Sequence, residues 1–147
     1  MPEVQPFIDC VLTFEELQAL IDSMDIDIEN LEESVLDEAS GFGRGFACSG
    51  GVAGAVAQAL KEMAEREGPD SPAASFELKA AVCDGIESCR NTLARANKGL
   101  LKENFIEGMA CEGGCIGGAG CLTHGEKNRQ AIEAYSREAK KQTITGN

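Results

Sequence analysis

FIEGMACEGGCIGGAG, residues 105–120, decides how this 147-residue chain is read. An apolar run opens it, Cys111 and Cys115 follow with three residues between them, and five glycines crowd positions 113–120. Glycine tolerates positive φ and lets backbone approach a bulky group, so such a loop can wrap an inorganic centre that ordinary side chains would exclude. Thiolates are soft ligands suited to iron–sulfur clusters and to zinc. Backbone N–H groups between them can bond cluster sulfides or other anions, as anion-binding nests do. Two cysteines at this spacing are a weak signal alone; inside this glycine pattern they are a much stronger one.

Working outward, the segment has a diverged copy. FACSGGVAG (46–54) lines up with MACEGGCIG (109–117), sharing A-C-x-G-G-x-x-G. Ahead of each turn the order strand, helix, strand is expected. In the first copy the strand is residues 7–12, then Thr13 with Glu16 forms a capping box, and Phe14, Leu17, Leu20, Ile21 and Met24 give a helical apolar stripe. In the second, residues 76–83 are the strand, Asp84 and Glu87 mimic the box, and Ile86, Cys89, Leu93 and Ala96 form the stripe. Second strands are expected at 43–48 and 104–110, each ending in its glycine turn. Helices follow at about 51–67 (Val52, Val56, Ala59, Leu60 and Met63 on one face) and about 125–141. The latter is capped by Thr123 and Glu126 and turns Ala131, Ile132, Tyr135 and Ala139 inward.

Strands alternating with helices mean an α/β fold with a mainly parallel sheet of about four strands, built as a pseudo-repeat over 7–67 and 76–141 in one domain, 1–147. Ligands in such sheets favour the strand C-terminal ends, where both glycine turns fall. Residues 68–75, with two prolines, read as the linker between copies. Residues 25–42 read as acidic and irregular, with the acids of 29–38 on a solvated face, and 142–147 as a fraying tail.

The bulk composition narrows the function. At 147 residues the chain can bury roughly 70% of its unfolded surface. The net charge of −12 disfavours a phosphate backbone, so nucleic acid is not an expected partner. It would also repel an acidic electron carrier such as a ferredoxin, which is expected to dock elsewhere. Met1-Pro2-Glu3 shows no secretory leader and no apolar run approaches the ~20 residues of a membrane span. The seven cysteines therefore read as reduced thiols or metal ligands in a cytoplasmic protein without membrane partners.

At 105–120 the chain resembles the C-terminal signature of the iron-only (di-iron) hydrogenases, whose M-A-C-x-G-G-C-x-G-G-x-G run supplies two cluster thiolates. Residues 9–17 (DCVLTFEEL) look like that family's strand-to-helix segment after its second cysteine motif. Residues 46–52 look like its F-x-x-[ST]-G-G-V segment, and Leu122-Thr123-His124-Gly125 is similar to the monomeric bacterial branch. The resemblance covers nearly the whole chain, in family order. It implies a four-iron–four-sulfur cubane linked through one cysteine sulfur to a di-iron unit carrying carbon monoxide and cyanide, and reversible reduction of protons to dihydrogen under anaerobic conditions. By position Cys111 would ligate the cubane, Cys115 would bridge to the di-iron unit, and Gly113 and Gly114 would bond the cluster. Met109 would pack against the di-iron unit, and Phe46 and Val52 would belong to its apolar wall.

The family's other two cubane cysteines lie in motifs of the T-S-C-C-P and M-P-C-x-A-K-K type, absent here together with its proton relay. The chain is thus expected to be the C-terminal lobe of the catalytic domain, inactive alone, with the N-terminal part as its partner. Its uncovered apolar face could also pair with a second copy as a homodimer. A different expectation is a non-catalytic cluster-binding or assembly-related scaffold, and a third is an empty α/β domain used for association.

Other residues have plainer readings. Cys111 and Cys115 could be a zinc half-site or free thiols. Cys48, at the equivalent turn, is either near the cluster or a small buried thiol. Cys10, Cys83 and Cys89 are expected to be packing residues, and Cys121 an extra ligand or an oxidation-prone thiol. His124, the one histidine, reads as a surface or capping residue, and the Gly50-Gly51 turn as a poor phosphate site.

Overall fold

The structure, a computed structural model, describes residues 2–34 and 39–145. In chain order its elements are α1 (Phe14–Ser23), α2 (Gly41–Arg44), α3 (Gly51–Glu67), α4 (Pro72–Ser75), β1 (Ala80–Asp84), α5 (Ile86–Asn97), β2 (Phe105–Met109) and α6 (Glu126–Arg137), with short 3-10 turns between some of them.

The second copy folds as its pattern predicts. β1, α5 and β2 make a parallel βαβ unit in register from Ala80 opposite Phe105 to Asp84 opposite Met109. β1 begins at Ala80 instead of Phe76 because the Asn104 side chain takes over the edge: Lys79 N–H donates to Asn104 Oδ1 at 2.8 Å, and Asn104 Nδ2 donates to Glu77 O at 2.9 Å. Two predicted caps are not formed. Glycines stand at the N-caps of α5 and α6, Asp84 bonds a distant amide, and Thr123 Oγ1 donates to Asn128 Oδ1 at 2.7 Å.

The first copy departs further, and the sheet has two strands among the described residues, not about four. Residues 43–47 are helical turns, α2 followed by Gly45–Ala47, and Cys48 alone of the expected strand is extended. Ser40 caps α2 by accepting the Gly43 N–H at 3.1 Å, and three glycines among residues 41–45 give a strand little to pack. Residues 7–12 join no ladder; Phe7 ends a 3-10 turn, and Phe7 and Val11 are 83% and 80% exposed. Cys10, expected to pack, is exposed as well. The capping box at Thr13 is formed, with Glu16 Oε2 2.7 Å from Thr13 N and Thr13 Oγ1 3.2 Å from Glu16 N. Yet Phe14, Leu17, Leu20 and Met24 of the α1 stripe remain exposed, as do Ile86 and Leu93 of α5. The linker is not loose: buried Ser71 caps α4 and accepts Ala74 N–H at 3.2 Å. Of the acids in 29–38, Glu29, Glu32 and Glu33 are exposed, and Asp37 and Glu38 lie outside the described residues.

One buried carboxylate bridges the two copies. Glu107, in the middle of β2 and 5% exposed, accepts Gly50 N–H at 2.9 Å and Ala53 N–H at 2.6 Å at the N-terminus of α3. The unpaired amides and positive dipole end of a helix suit a carboxylate. Around this clamp lie the small buried residues Cys48, Ala53, Ala55 and Cys83. α6 closes over α2, with the Arg44 guanidinium 4.1 Å above the Tyr135 ring and Arg44 Nη1 donating to Tyr135 O at 2.9 Å. Ala139, beyond the end of α6, is buried there too.

The exposed surface is 11,014 Å², whereas a folded 15.5 kDa monomer is expected to expose about 7,200 Å². Large apolar side chains contribute to the difference, with Phe7, Val11, Met24, Ile86 and Leu100 all facing outward.

The C-terminal segment, expected to fray, is docked as far as it is described. Glu62 Oε2 accepts from Ile144 N at 3.0 Å and Thr145 N at 2.8 Å, and Gln142 Nε2 donates to Ala139 O at 2.8 Å. The Thr145 N–H first, and the Gln58 amide next, hold the Glu62 carboxyl down from its ordinary 4.5 to about 2.

Both carboxylates can be tested by substitution. Glu107→Ala leaves two buried amides unpaired and is expected to cost about 2–3 kcal/mol in urea unfolding. Glu107→Gln, which keeps an acceptor, should cost less, and an unchanged midpoint for the alanine variant would refute the clamp. Glu62, with its folded pKa depressed, contributes stability that is complete above pH 4.5 and is lost as pH falls through about 2. Protection factors of the Ile144 and Thr145 amides, taken relative to intrinsic exchange at each pH, should fall across that window, and should already be low at neutral pH in Glu62→Gln.

Candidate metal centre

β2 delivers Met109 to the C-terminal edge of the sheet, and the chain turns at once. Gly114 N–H donates to Cys111 O at 3.1 Å, Gly117 N–H to Gly114 O at 3.0 Å, and Gly118 N–H to Cys115 O at 3.0 Å, so Cys115 opens a 3-10 turn, Cys115–Gly117. The turn depends on glycine above all at Gly114 and at Gly117, where a Cβ would overlap Glu112 O. Gly114 has φ +94°, and a Cβ there would lie 2.5 Å from Ala47 O and from Ser49 N. A Cβ on Gly118 would lie 3.3 Å from Cys111 Sγ, so glycine at that position leaves the sulfur room.

The two related turns meet. Cys48 and Gly114 form an isolated antiparallel bridge, and Ser49 N–H donates to Gly113 O at 3.0 Å. Cys48 is 6% exposed, and burial pushes its thiol pKa up, so it is a protonated packing residue here. Asp84, at the end of β1, accepts the Gly113 N–H at 2.8 Å. The Gly113 and Gly114 amides are therefore satisfied within the protein, and what these glycines contribute to a bound group is shape.

Cys111 is half-buried and Cys115 exposed, and both are free thiols at the strand end. A mainly apolar cavity of about 430 Å³ lies against Cys115, lined among others by Phe14, Ala47, Ile116, Cys121 and Leu122. Phe14 is held there because its N–H donates to Gly120 O at 3.0 Å. Phe46 is exposed and Val52 half-buried, and the structure brings Ala47, not these two, to the cavity. Cys121 turns its thiol to Cys115 O at 3.3 Å. His124 is exposed in the loop before α6.

Among the described residues no three or more His, Cys, Asp or Glu side chains gather closely enough to hold a metal ion. The donor set fits half of a cubane's shell: two soft thiolates, a glycine-lined recess beside one, and an apolar cavity beside the other. The phosphate reading of Gly50-Gly51 is closed off by Glu107, whose carboxylate already occupies that helix N-terminus. Neither the Glu107 clamp nor the Asp84 contact was foreseen. A lone acid inside the apolar run Phe105-Ile106-Glu107-Gly108-Met109 was the available signal for the first, and none marked the second.

No helix among the described residues is long and apolar enough to cross a membrane. Comparison with known proteins matches residues 1–119 to the family described as "Iron only hydrogenase large subunit, C-terminal domain". The chain is 33% identical over 142 residues to the NADP-reducing hydrogenase subunit HndD of Solidesulfovibrio fructosivorans, covering 81% of this chain and 24% of that protein. It is 31% identical to iron hydrogenase 1 of Clostridium pasteurianum, covering 77% and 23%, and 26% identical to the nuclear prelamin A recognition factor of Xenopus laevis, covering 77% and 30%. The chain spans between 23% and 30% of these three relatives. By the family match and by its identity to two hydrogenases, this chain belongs to the family of C-terminal domains of iron-only hydrogenases, an oxidoreductase family of iron–sulfur proteins.

Proposed function

We propose that this chain forms the C-terminal lobe of an iron-only hydrogenase catalytic centre, with Cys111 and Cys115 as two of its cluster ligands. The observation that carries this reading is a pair of free thiols, four positions apart, at the C-terminal end of a parallel strand, with an apolar cavity of about 430 Å³ against one of them.

A four-iron–four-sulfur cubane joined to a di-iron unit, when bound, supplies the electron store and the proton-reducing metal chemistry of 2 H⁺ + 2 e⁻ ⇌ H₂. The protein's own part is binding, orientation and exclusion of water. Cys111, recessed beside Gly118, and Cys115, open to the apolar cavity, would be the two thiolates that hold the cluster. Gly113 and Gly114 shape the turn through positive φ. Met109, with Phe14 and Ala47 of the cavity wall, would contribute apolar surface on the side of the di-iron unit. Asp84 and Glu107 position the turn from below without touching the metal.

The remaining two ligands and the proton path come from a second polypeptide segment, the N-terminal part of the catalytic domain. The exposed stripe of α1 is the surface such a segment would cover, and Phe14 links that stripe to the Cys115 cavity. An acidic electron carrier of the ferredoxin kind docks on that other segment, since this chain's net charge of −12 repels it. The chain alone is inactive and retains iron poorly, because binding energy falls when half the site is missing.

The relative from Xenopus laevis, named as a recognition factor rather than an enzyme, favours a second reading. In it the same thiols hold an iron–sulfur cluster in a non-catalytic, scaffold-type protein.

Anaerobic reconstitution with ferrous iron and sulfide separates these readings. Alone, the chain is expected to hold well under one cluster. Mixed with a segment carrying the two other cysteine motifs, it should gain the broad visible absorption of an iron–sulfur protein. Cys111→Ser and Cys115→Ser should each lower retained iron by about tenfold or more, while Cys10→Ser changes nothing. Carbonyl and cyanide infrared bands with hydrogen evolution after maturation mark the catalytic reading, and a cluster without them marks the scaffold. Iron uptake indifferent to both serine variants sinks both readings.

A further inference from the structure

A second pair of thiols lies on the face of the sheet that α5 covers, and the proposed centre does not use it. Cys83, in β1, stands opposite Gly108 of β2 in the parallel register. Partners in a ladder send their side chains to the same face, and glycine sends none, so the space a β2 side chain would fill is left to sulfur. A Cβ on Gly108 would lie 3.4 Å from Cys89 Sγ and 3.8 Å from Cys83 Sγ. Cys89 is brought there by the first turns of α5, its N–H closing on Gly85 O at 3.1 Å. Its thiol lies 3.5 Å from Cys83 O and 3.4 Å from Met109 O, and the Cys83 thiol donates to Glu107 O at 3.1 Å. Both thiols are free; Cys83 is buried, Cys89 half-buried, and Gly108 beside them is exposed.

We propose that Cys83 and Cys89 are a modification site: a dithiol that closes reversibly to a disulfide, tying the end of β1 to the first turns of α5. The oxidant is a low-molecular-weight disulfide. Cys89, the more accessible sulfur, attacks it as the thiolate. The reagent's S–S bond breaks, one thiol leaves, and Cys89 is held as a mixed disulfide. Cys83 then loses its proton and attacks the Cys89 sulfur, expelling the second thiol. Two electrons and two protons have passed from the pair to one reagent disulfide, which leaves as two thiols.

Two features support this assignment. Gly108 removes the side chain that would stand against both sulfurs. Only five residues separate the two cysteines, so the closed loop is short, the disulfide adds little stability, and it stays easy to reduce. Burial, with the Cys83 thiol next, pushes the Cys89 thiol pKa up, so closure should quicken as the medium becomes alkaline. Closure replaces thiol hydrogen bonds to Glu107 O and Met109 O, on the strand that leads straight to Cys111. The oxidation state of the pair therefore bears on the metal loop, although nothing in the inference requires iron to be bound.

Oxidised glutathione added to the full metal-free chain, followed by alkylation and peptide mass spectrometry, tests it. The peptide spanning both residues should lose two hydrogens, escape alkylation, and revert on treatment with excess dithiol. Below the Cys89 pKa the rate should rise about tenfold per pH unit. Cys83→Ser should trap glutathione on Cys89, and Cys89→Ser should leave Cys83 unreacted. Gly108→Ala, checked for fold by circular dichroism, should slow closure. The proposal is overturned if wild-type Cys89 accumulates as an unresolved mixed disulfide, if either sulfur pairs with a different cysteine, or if both are recovered alkylated after the exposed cysteines have reacted.

Discussion

A carboxylate in the middle of a strand holds this fold together. Glu107 bridges β2 to the N-terminus of α3, and through those two hydrogen bonds the second half of the chain is fixed against the first. A buried charge is costly to desolvate unless it is well paired. Here the partners are backbone amides at a helix start, whose dipole reinforces them and whose geometry admits one placement. The contact between the Cys48 and Gly114 turns lies immediately beyond this clamp. The shape of the cysteine loop is therefore inherited from an acid four residues before Cys111.

The clamp matters more because the rest of the core is thin. A two-stranded sheet is marginal by itself, and the buried apolar residues are cysteines and alanines, with no large side chain fully covered among the described residues. α1 has a well-formed cap and an apolar stripe, yet the stripe faces outward. Its first residue touches the metal loop through Phe14 N–H and Gly120 O. Anything laid over α1 would therefore meet the cavity beside Cys115 directly.

How much of this was legible in the sequence depended on whether the deciding contact was local. The βαβ unit from Ala80 to Met109 and the Thr13 box could be read because spacing along the chain sets them. Asp84-x-x-Glu87 and Thr123-x-x-Glu126 carry the same signature as Thr13-x-x-Glu16, but Asp84 finds the Gly113 amide 29 positions away and Thr123 finds Asn128. A capping pattern states what a side chain can do locally, and a better non-local partner overrides it. Residues 43–48 resemble 104–110 at their glycine ends but not in the body. Gly43 and Arg44 stand where the second copy has Ile106 and Glu107, so a helical turn capped by Ser40 prevails over the strand. Cys111 and Cys115 fell where expected, at the end of a parallel strand, because the glycine turn encodes that position by itself.

Glycine next to sulfur recurs on this strand and its loop, with opposite results. At Gly118 the missing Cβ leaves Cys111 Sγ an unobstructed side 3.3 Å away, next to a partner thiol that is exposed. At Gly108 the missing Cβ leaves a gap that two sulfurs flank, each with a backbone carbonyl for its proton. A sulfur with open space beside it and an apolar cavity close by is placed to meet something from outside. Two sulfurs that share one gap are placed to meet each other. The same substitution, a side chain reduced to hydrogen, thus gives one thiol of this strand end an open side and two others a shared gap, a difference that spacing in the sequence alone does not show.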